Sequence, residues 1–172
     1  MKLKKLKFTL IILISLISLT AFSQQKADDL IKSGNAKDSQ KNFSGAIEDF
    51  NAAIKLDSEN VNAFYYRGYA YYELKKYHNA IKDFDEAIYL DSLDAESYFN
   101  RGNAKFELED YKGAIKDYQS AITLNPKDKE CYYNKAIAEY NIGDTENVCP
   151  DLEQAAKLGD DMAKEAAKAL CQ

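Results

Sequence analysis

The 172-residue chain has little with which to do chemistry. It holds one histidine, His78, and three cysteines far apart, Cys131, Cys149 and Cys171, so no metal-ligand spacing occurs. It has no glycine-rich phosphate loop, no HExxH and no nucleophile-elbow pattern. His78 follows Lys76 and precedes Asn79 at the start of a helical pattern, and it reads as a solvated side chain. Glu107, Glu109 and Asp110 fall at a turn, where a hydrated surface is the ordinary explanation. Catalytic residues, cofactors and metals are therefore not expected.

Also missing is an apolar run able to cross a bilayer. The stretch Phe8 to Leu19 is too short and wrongly flanked, with four lysines before it. It reads as a secretory signal. Ala21 and Ser23 are small residues placed for a cut, so the expected division is a signal peptide over 1–23 and a mature domain over 24–172, periplasmic or secreted. Position 24 is glutamine, so lipid attachment there is not expected. An uncleaved N-terminal anchor holding the same domain outside the membrane is the alternative. Loss of four lysines takes the formal charge from −5 to −9. Such a surface repels phosphate backbones and anionic headgroups, so neither nucleic acid nor a purely electrostatic membrane contact is expected.

What the chain does have is a folded composition, 46% hydrophobic and 30% charged, and a period. At steps of 34 residues, Gly34, Gly68 and Gly102 are followed by Ala136, and Ala46, Ala80 and Ala114 by Val148. Phe43, Tyr77 and Tyr111 share a register, as do Phe50, Phe84, Tyr118 and Leu152, and Ala53, Ala87, Ala121 and Ala155. Within a unit, Phe64, Gly68 and Tyr71 form one helical stripe and Ala80, Ile81, Phe84, Ala87 and Ile88 another, with a break near Lys75 and Lys76. Each unit is thus two amphipathic helices whose small residues let the axes approach. A glycine such as Gly68 weakens a helix by about 1 kcal/mol relative to alanine. Burial of the large aromatic beside it, at roughly 25 cal/mol per Å², outweighs that.

This period and pattern resemble the tetratricopeptide repeat (TPR) family of helix-turn-helix units stacked into a solenoid. The resemblance runs from about residue 27 to residue 160. Phe64, Gly68, Tyr71, Tyr77, Ala80, Phe84 and Ala87 stand on signature positions, as do Tyr98, Gly102, Tyr111, Ala114, Tyr118, Ala121 and Pro126. Two departures stand out: Arg67, Arg101 and Lys135 occupy a place usually held by leucine, and the fourth unit lacks its glycine and, at Thr145, its aromatic. The resemblance implies an all-α fold, a right-handed superhelical α-solenoid of four units (about 27–60, 61–94, 95–128 and 129–160). A capping helix over about 161–171 would turn Met162, Ala166, Ala169 and Leu170 inward to cover the open edge.

In that arrangement the last helix of unit four and the cap are antiparallel neighbours joined around Gly159 and Asp160. Cys149 and Cys171 lie eleven residues either side of Asp160 and are level, so a disulfide between them is expected, with two buried thiols as the alternative. Cys131 has no cysteine opposite it. Pro150 predicts a late start for its helix, near Asn147, because proline is accepted in a first turn and breaks an interior.

Two aromatic ladders recur at the same interval, Tyr65, Phe99 and Tyr133, and Tyr72, Phe106 and Tyr140. Rungs seven apart share a helix face, and the resemblance places that face on the concave groove. Tyr69, Asn103 and Ile137 fall between the ladders, Asn100 and Asn134 lie nearby, and Glu73, Glu96, Glu107 and Glu130 edge the surface. The expected peptide-binding groove is therefore Tyr65, Tyr69, Tyr72, Phe99, Asn100, Asn103, Phe106, Tyr133, Asn134 and Tyr140, taking an extended or helical segment. The competing reading is that these rings only pack between repeats. A carboxylate clamp, known in some TPR proteins, is disfavoured because Ile31, Tyr66, Glu96, Asn100 and Glu130 stand where its polar and basic side chains would be needed.

Arg67, Arg101 and Lys135 recur with Asp49, Asp83, Asp117 and Asp151, and pairing within a repeat or with the preceding one fits equally. The expected function is a non-catalytic scaffold for a protein or peptide partner, in envelope assembly or secretion. The alternative is a self-assembling structural unit, and the oligomeric state is open.

Overall fold

In the computed structural model, the backbone is described for residues 2–171 and side chains for residues 20–171. The lysine cluster and apolar run of the expected export signal lie outside the described side chains. No helix among the described residues is long and apolar enough to cross a membrane.

Among the described residues the fold is all α and contains no strand: α1 (Lys2–Ser39), α2 (Phe43–Leu56), α3 (Val61–Glu73), α4 (Tyr77–Leu90), α5 (Ala95–Glu107), α6 (Tyr111–Leu124), α7 (Lys129–Asn141), α8 (Thr145–Lys157) and α9 (Asp161–Leu170). Polar caps set most of the starts. The side chains of Asn42, Asn60, Asp94, Asp110, Asp128 and Asp160 each accept a hydrogen bond from a backbone N–H in the following first turn. The turn inside each pair contains one residue in the left-handed region: Lys41, Lys75, Glu109 and then Gly143, again 34 apart. Only at Gly143 is that backbone free of a side-chain penalty.

Each pair closes on a stacked interior. Phe50, Phe84 and Leu152 are fully buried and Tyr118 nearly so, at equal intervals along the chain. A Cβ built on Gly34 would lie 2.4 Å from the Phe50 ring, one on Gly68 2.9 Å from Phe84, and one on Gly102 2.7 Å from Tyr118. The glycines are there because the rings lie directly on their backbones. In the fourth pair Ala136 faces the smaller Leu152, so both partners of the contact change together.

Three local expectations need correction or resolution. Helix α8 starts at Thr145, not near Asn147, and Pro150 lies inside it. The proline leaves the Glu146 carbonyl without its helical donor, which is tolerable because Glu146 is exposed in the first turn. Helix α9 turns Ala163, Ala166, Ala167 and Cys171 inward, while Met162 is 64% exposed and Ala169 and Leu170 also face outward. Small residues permit the close approach at which Cys149 and Cys171 are joined, with Cα atoms 5.6 Å apart. Cys131 is a buried free thiol, its pKa pushed up by burial and by Asp128.

Each member of the basic series pairs with the recurring aspartate of its own repeat, not with that of the repeat before. Arg67 grips Asp83 of its own repeat and reaches back to Asn51 of the one before, at 2.6 Å. Arg101 likewise holds Asp117 and Asp85, and Lys135 holds Asp151 and Glu139. Asp49 is taken by Lys37, at 2.7 Å. These ions tie helices together within and between repeats. Phe64 and Tyr98 stack under the two guanidinium groups, 5.5 and 5.4 Å from ring centre to carbon.

Candidate functional site

The first helix of each pair meets its counterpart in the next, α1 with α3, α3 with α5 and α5 with α7, whereas no comparable contact among the described residues links the second helices. The first helices therefore form the tighter, inner layer, and the face they present is the concave one.

The aromatics of that face have two sides. Tyr65 packs against Phe84 at 6.0 Å between ring centres, and Phe99 against Tyr118 at 6.0 Å. Tyr72 leans on Tyr77 at 5.5 Å and Phe106 on Tyr111 at 5.1 Å. Each of these ladder rings is only half-buried. Tyr140 is different: with Thr145 in place of the tyrosine that supports Tyr72 and Phe106, it has no such ring to lean on and is 55% exposed.

The asparagines join the repeats. Asn100 donates to the Tyr65 hydroxyl at 3.1 Å. Asn103 accepts from the Tyr118 hydroxyl at 2.9 Å and from the Asn134 amide at 3.1 Å, which aligns α5, α6 and α7 at one point. The carbonyl oxygen of Asn134 has no protein partner among the described residues.

Around that point lies a cavity of about 310 Å³, lined by Tyr72, Asn103, Phe106, Glu107, Tyr118, Tyr133, Asn134 and Ile137. It brings together five of the ten expected groove residues: Tyr72, Asn103, Phe106, Tyr133 and Asn134. Tyr65, Tyr69, Phe99, Asn100 and Tyr140 lie outside it. Of the other lining residues, Tyr118 is legible in the sequence as a packing position, Ile137 as a residue between the ladders and Glu107 as an acid edging the surface, none of them within the expected binding set.

The surroundings are negative. Burial pushes the Tyr72 phenol up to about 12, and Glu107 beside it adds to the rise. Tyr118 is raised still further, first by burial, with Glu107 among its neighbours. Glu107 accepts a hydrogen bond from the Tyr77 hydroxyl at 3.0 Å. No basic side chain among the described residues pairs with Glu73, Glu96, Glu107 or Glu130, whereas Arg67, Arg101, Lys105 and Lys135 are all committed to aspartates.

The sequence matches a family profile described as "Tetratricopeptide repeat" over residues 95–128, and another described as "TPR repeat" over 34–75 and 68–108. No curated protein matches it. Among solved structures, the first TPR of Spaghetti (RPAP3) bound to the HSP90 peptide SRMEEVD is 28% identical, covers 70% of this chain and 95% of its own, and superposes with a TM-score of 0.69. The Arabidopsis OM64 TPR domain is 27% identical over 69% of this chain and 98% of its own, with a TM-score of 0.67. MamA from Desulfovibrio magneticus RS-1, 18% identical, shares the fold at a TM-score of 0.74 over 78% of this chain and 76% of its own.

Proposed function

Since this chain belongs to the tetratricopeptide repeat family, we propose that it is a non-catalytic scaffold that holds a peptide segment of another protein along the concave face of its first helices. Repeats of this family are protein–protein interaction modules. The observation that carries the reading is the cavity at Asn103, where half-buried rings from three successive repeats and an unpartnered amide carbonyl meet. Rings supply contact area at little conformational cost, and amides fix the register of a passing backbone. The cavity offers no nucleophile beside a base.

The relative from Spaghetti binds an acidic peptide. Here Ile31, Tyr66, Glu96, Asn100 and Glu130 stand where several of a carboxylate clamp's polar and basic side chains would be needed. A segment rich in acid or ending in a free carboxylate at this place is therefore disfavoured. We further propose that the domain works outside the cytoplasm, after cleavage near Ser23 and Gln24, in envelope assembly or secretion.

The test is selection of a displayed random-peptide library on the immobilised domain, residues 24–172. Selected peptides should bind the unaltered domain and lose at least about tenfold in affinity for Tyr69→Ala with Phe106→Ala, a variant checked by circular dichroism for retained helix. Equal binding to both proteins would overturn the groove reading.

A further inference from the structure

We propose that the cavity at Asn103 is built to take an arginine side chain of the bound segment, with its guanidinium between the rings of Tyr72, Phe106 and Tyr133 and against the carboxylate of Glu107. The inference rests on the groove reading above and names the chemistry of its guest.

Size comes first. A volume of about 310 Å³ lies at the small end of ligand cavities, which suits one long side chain better than a metabolite. The walls come next. Aromatic faces carry negative charge density and attract a cation placed within about 6 Å, and here three rings arrive from α3, α5 and α7. The third element is the carboxylate. Glu107 lines the same cavity, it accepts from the neutral Tyr77 hydroxyl, and no lysine or arginine among the described residues forms an ion pair with it. One carboxylate with amides and rings is a poor set for a metal ion, which would require several charged or carbonyl oxygens.

Arginine fits better than lysine because it is planar, stacks on rings and is weakly hydrated, and because its several donors need several acceptors. Glu107 and the unpartnered carbonyl of Asn134 supply them. The chain uses the same two-part recognition internally. Arg67 lies over Phe64 while gripping Asp83, and Arg101 lies over Tyr98 while gripping Asp117.

The test uses three blocked tripeptides, acetyl-Gly-Arg-Gly-amide, its lysine counterpart and its citrulline counterpart, which keeps the shape of arginine without the charge. Each is titrated into isotopically labelled residues 24–172, and the side-chain amide signals of Asn103 and Asn134 are followed by NMR. The arginine probe should move both signals to saturation, and the citrulline probe should bind about tenfold more weakly, the worth of a charge-assisted contact. Glu107→Gln, which can still accept from Tyr77, should weaken the arginine probe by a similar factor and leave the citrulline probe unchanged. Citrulline or lysine binding as tightly as arginine, indifference to Glu107→Gln, or unmoved amide signals would overturn the proposal. Library peptides that depend on the groove but are not enriched in arginine would defeat this inference and leave the groove reading standing. An arginine probe seated at Asn103 in a protein that selects no groove-dependent peptide would do the reverse.

Discussion

The guanidinium of Arg67 holds the carboxylate of Asp83 in a two-point grip, Nε to Oδ2 at 2.7 Å and Nη2 to Oδ1 at 2.6 Å. Asp83 is buried, and desolvation raises its pKa against the opposing pull of Arg67. Removal of the arginine alone would strand that carboxyl group. Arg67→Ala should therefore destabilise the domain by about 3–5 kcal/mol in urea unfolding. The double change Arg67→Met with Asp83→Leu should come within about 1 kcal/mol of the parent, because a buried ion pair and an apolar pair of similar volume are nearly equivalent. A double variant as unstable as the single one would show that the ion pair itself carries the stability.

Gly68 and Phe84 form the second test. A methyl on Gly68 would sit 2.9 Å from the Phe84 ring and 3.2 Å from the Asp83 Cβ. Alanine improves helix propensity by about 1 kcal/mol, yet overpacking of a tight core costs about 1–3 kcal/mol, so Gly68→Ala should be net destabilising. Gly68→Ala with Phe84→Leu reproduces the Ala136 and Leu152 solution of the fourth pair. The double variant should be more stable than the sum of the two single effects, a coupling that a double-mutant cycle reads directly. Simple additivity would mean that ring and glycine do not constrain one another.

These contacts show what was legible in the sequence. A constant interval states in one dimension which residues stack in three, so the helix pairs and the facing of Gly68 with Phe84 followed from it. Features that break the interval did not. The rotation of α9 was misread because alanines occur on several faces of a short helix, and the inward set Ala163, Ala166 and Ala167 competes with Met162 and Leu170 on hydrophobicity alone. The choice between Asp83 and Asp49 for Arg67 could not be made because both lie at similar separations along the chain; the structure takes Asp83, and the arginine reaches back to Asn51 while Asp49 goes to Lys37. At the site, the ladders announced Tyr72, Phe106 and Tyr133. Glu107 was legible as an acid at the edge but not as a cavity wall, because whether a residue at a helix end looks into a groove depends on where the neighbouring repeats lie.

The Cys149–Cys171 bond joins α8 to the end of α9 across 22 residues. In the chain-entropy view, closing a loop of that order is worth about 3 kcal/mol. Peptide mapping of the oxidised protein should recover the two cysteines as one linked pair, with Cys131 free. Cys149→Ser with Cys171→Ser should lower stability by roughly that amount and raise amide hydrogen exchange first in α9. Exchange spread evenly over the repeats would count against a local clasp.

The last test concerns Glu139, which is 2% exposed and has one carboxyl oxygen, Oε2, without a hydrogen-bond partner among the described residues. Lys37, Tyr71 and Lys105 stand at the same register in the earlier repeats, so the acid is particular to the fourth. Burial, with Asp151 close by, pushes its carboxyl up to about 7 against the pull of Lys135 at 2.8 Å. Between the ordinary glutamate value and about 7, the folded protein keeps a proton that the unfolded chain has released, so this group makes stability fall as pH rises through that window. Glu139→Gln removes the titration and retains a neutral, hydrogen-bonding side chain. Relative to the parent, it should gain roughly 1–2 kcal/mol between pH 5 and pH 8 and nothing further above that. Because Lys135 serves both acids, Asp151→Asn should let Glu139 ionise beside the lysine and flatten the same slope. A stability difference between Glu139→Gln and parent that stays constant from pH 5 to pH 8 would mean that Glu139 is already ionised in the folded protein throughout, held so by Lys135.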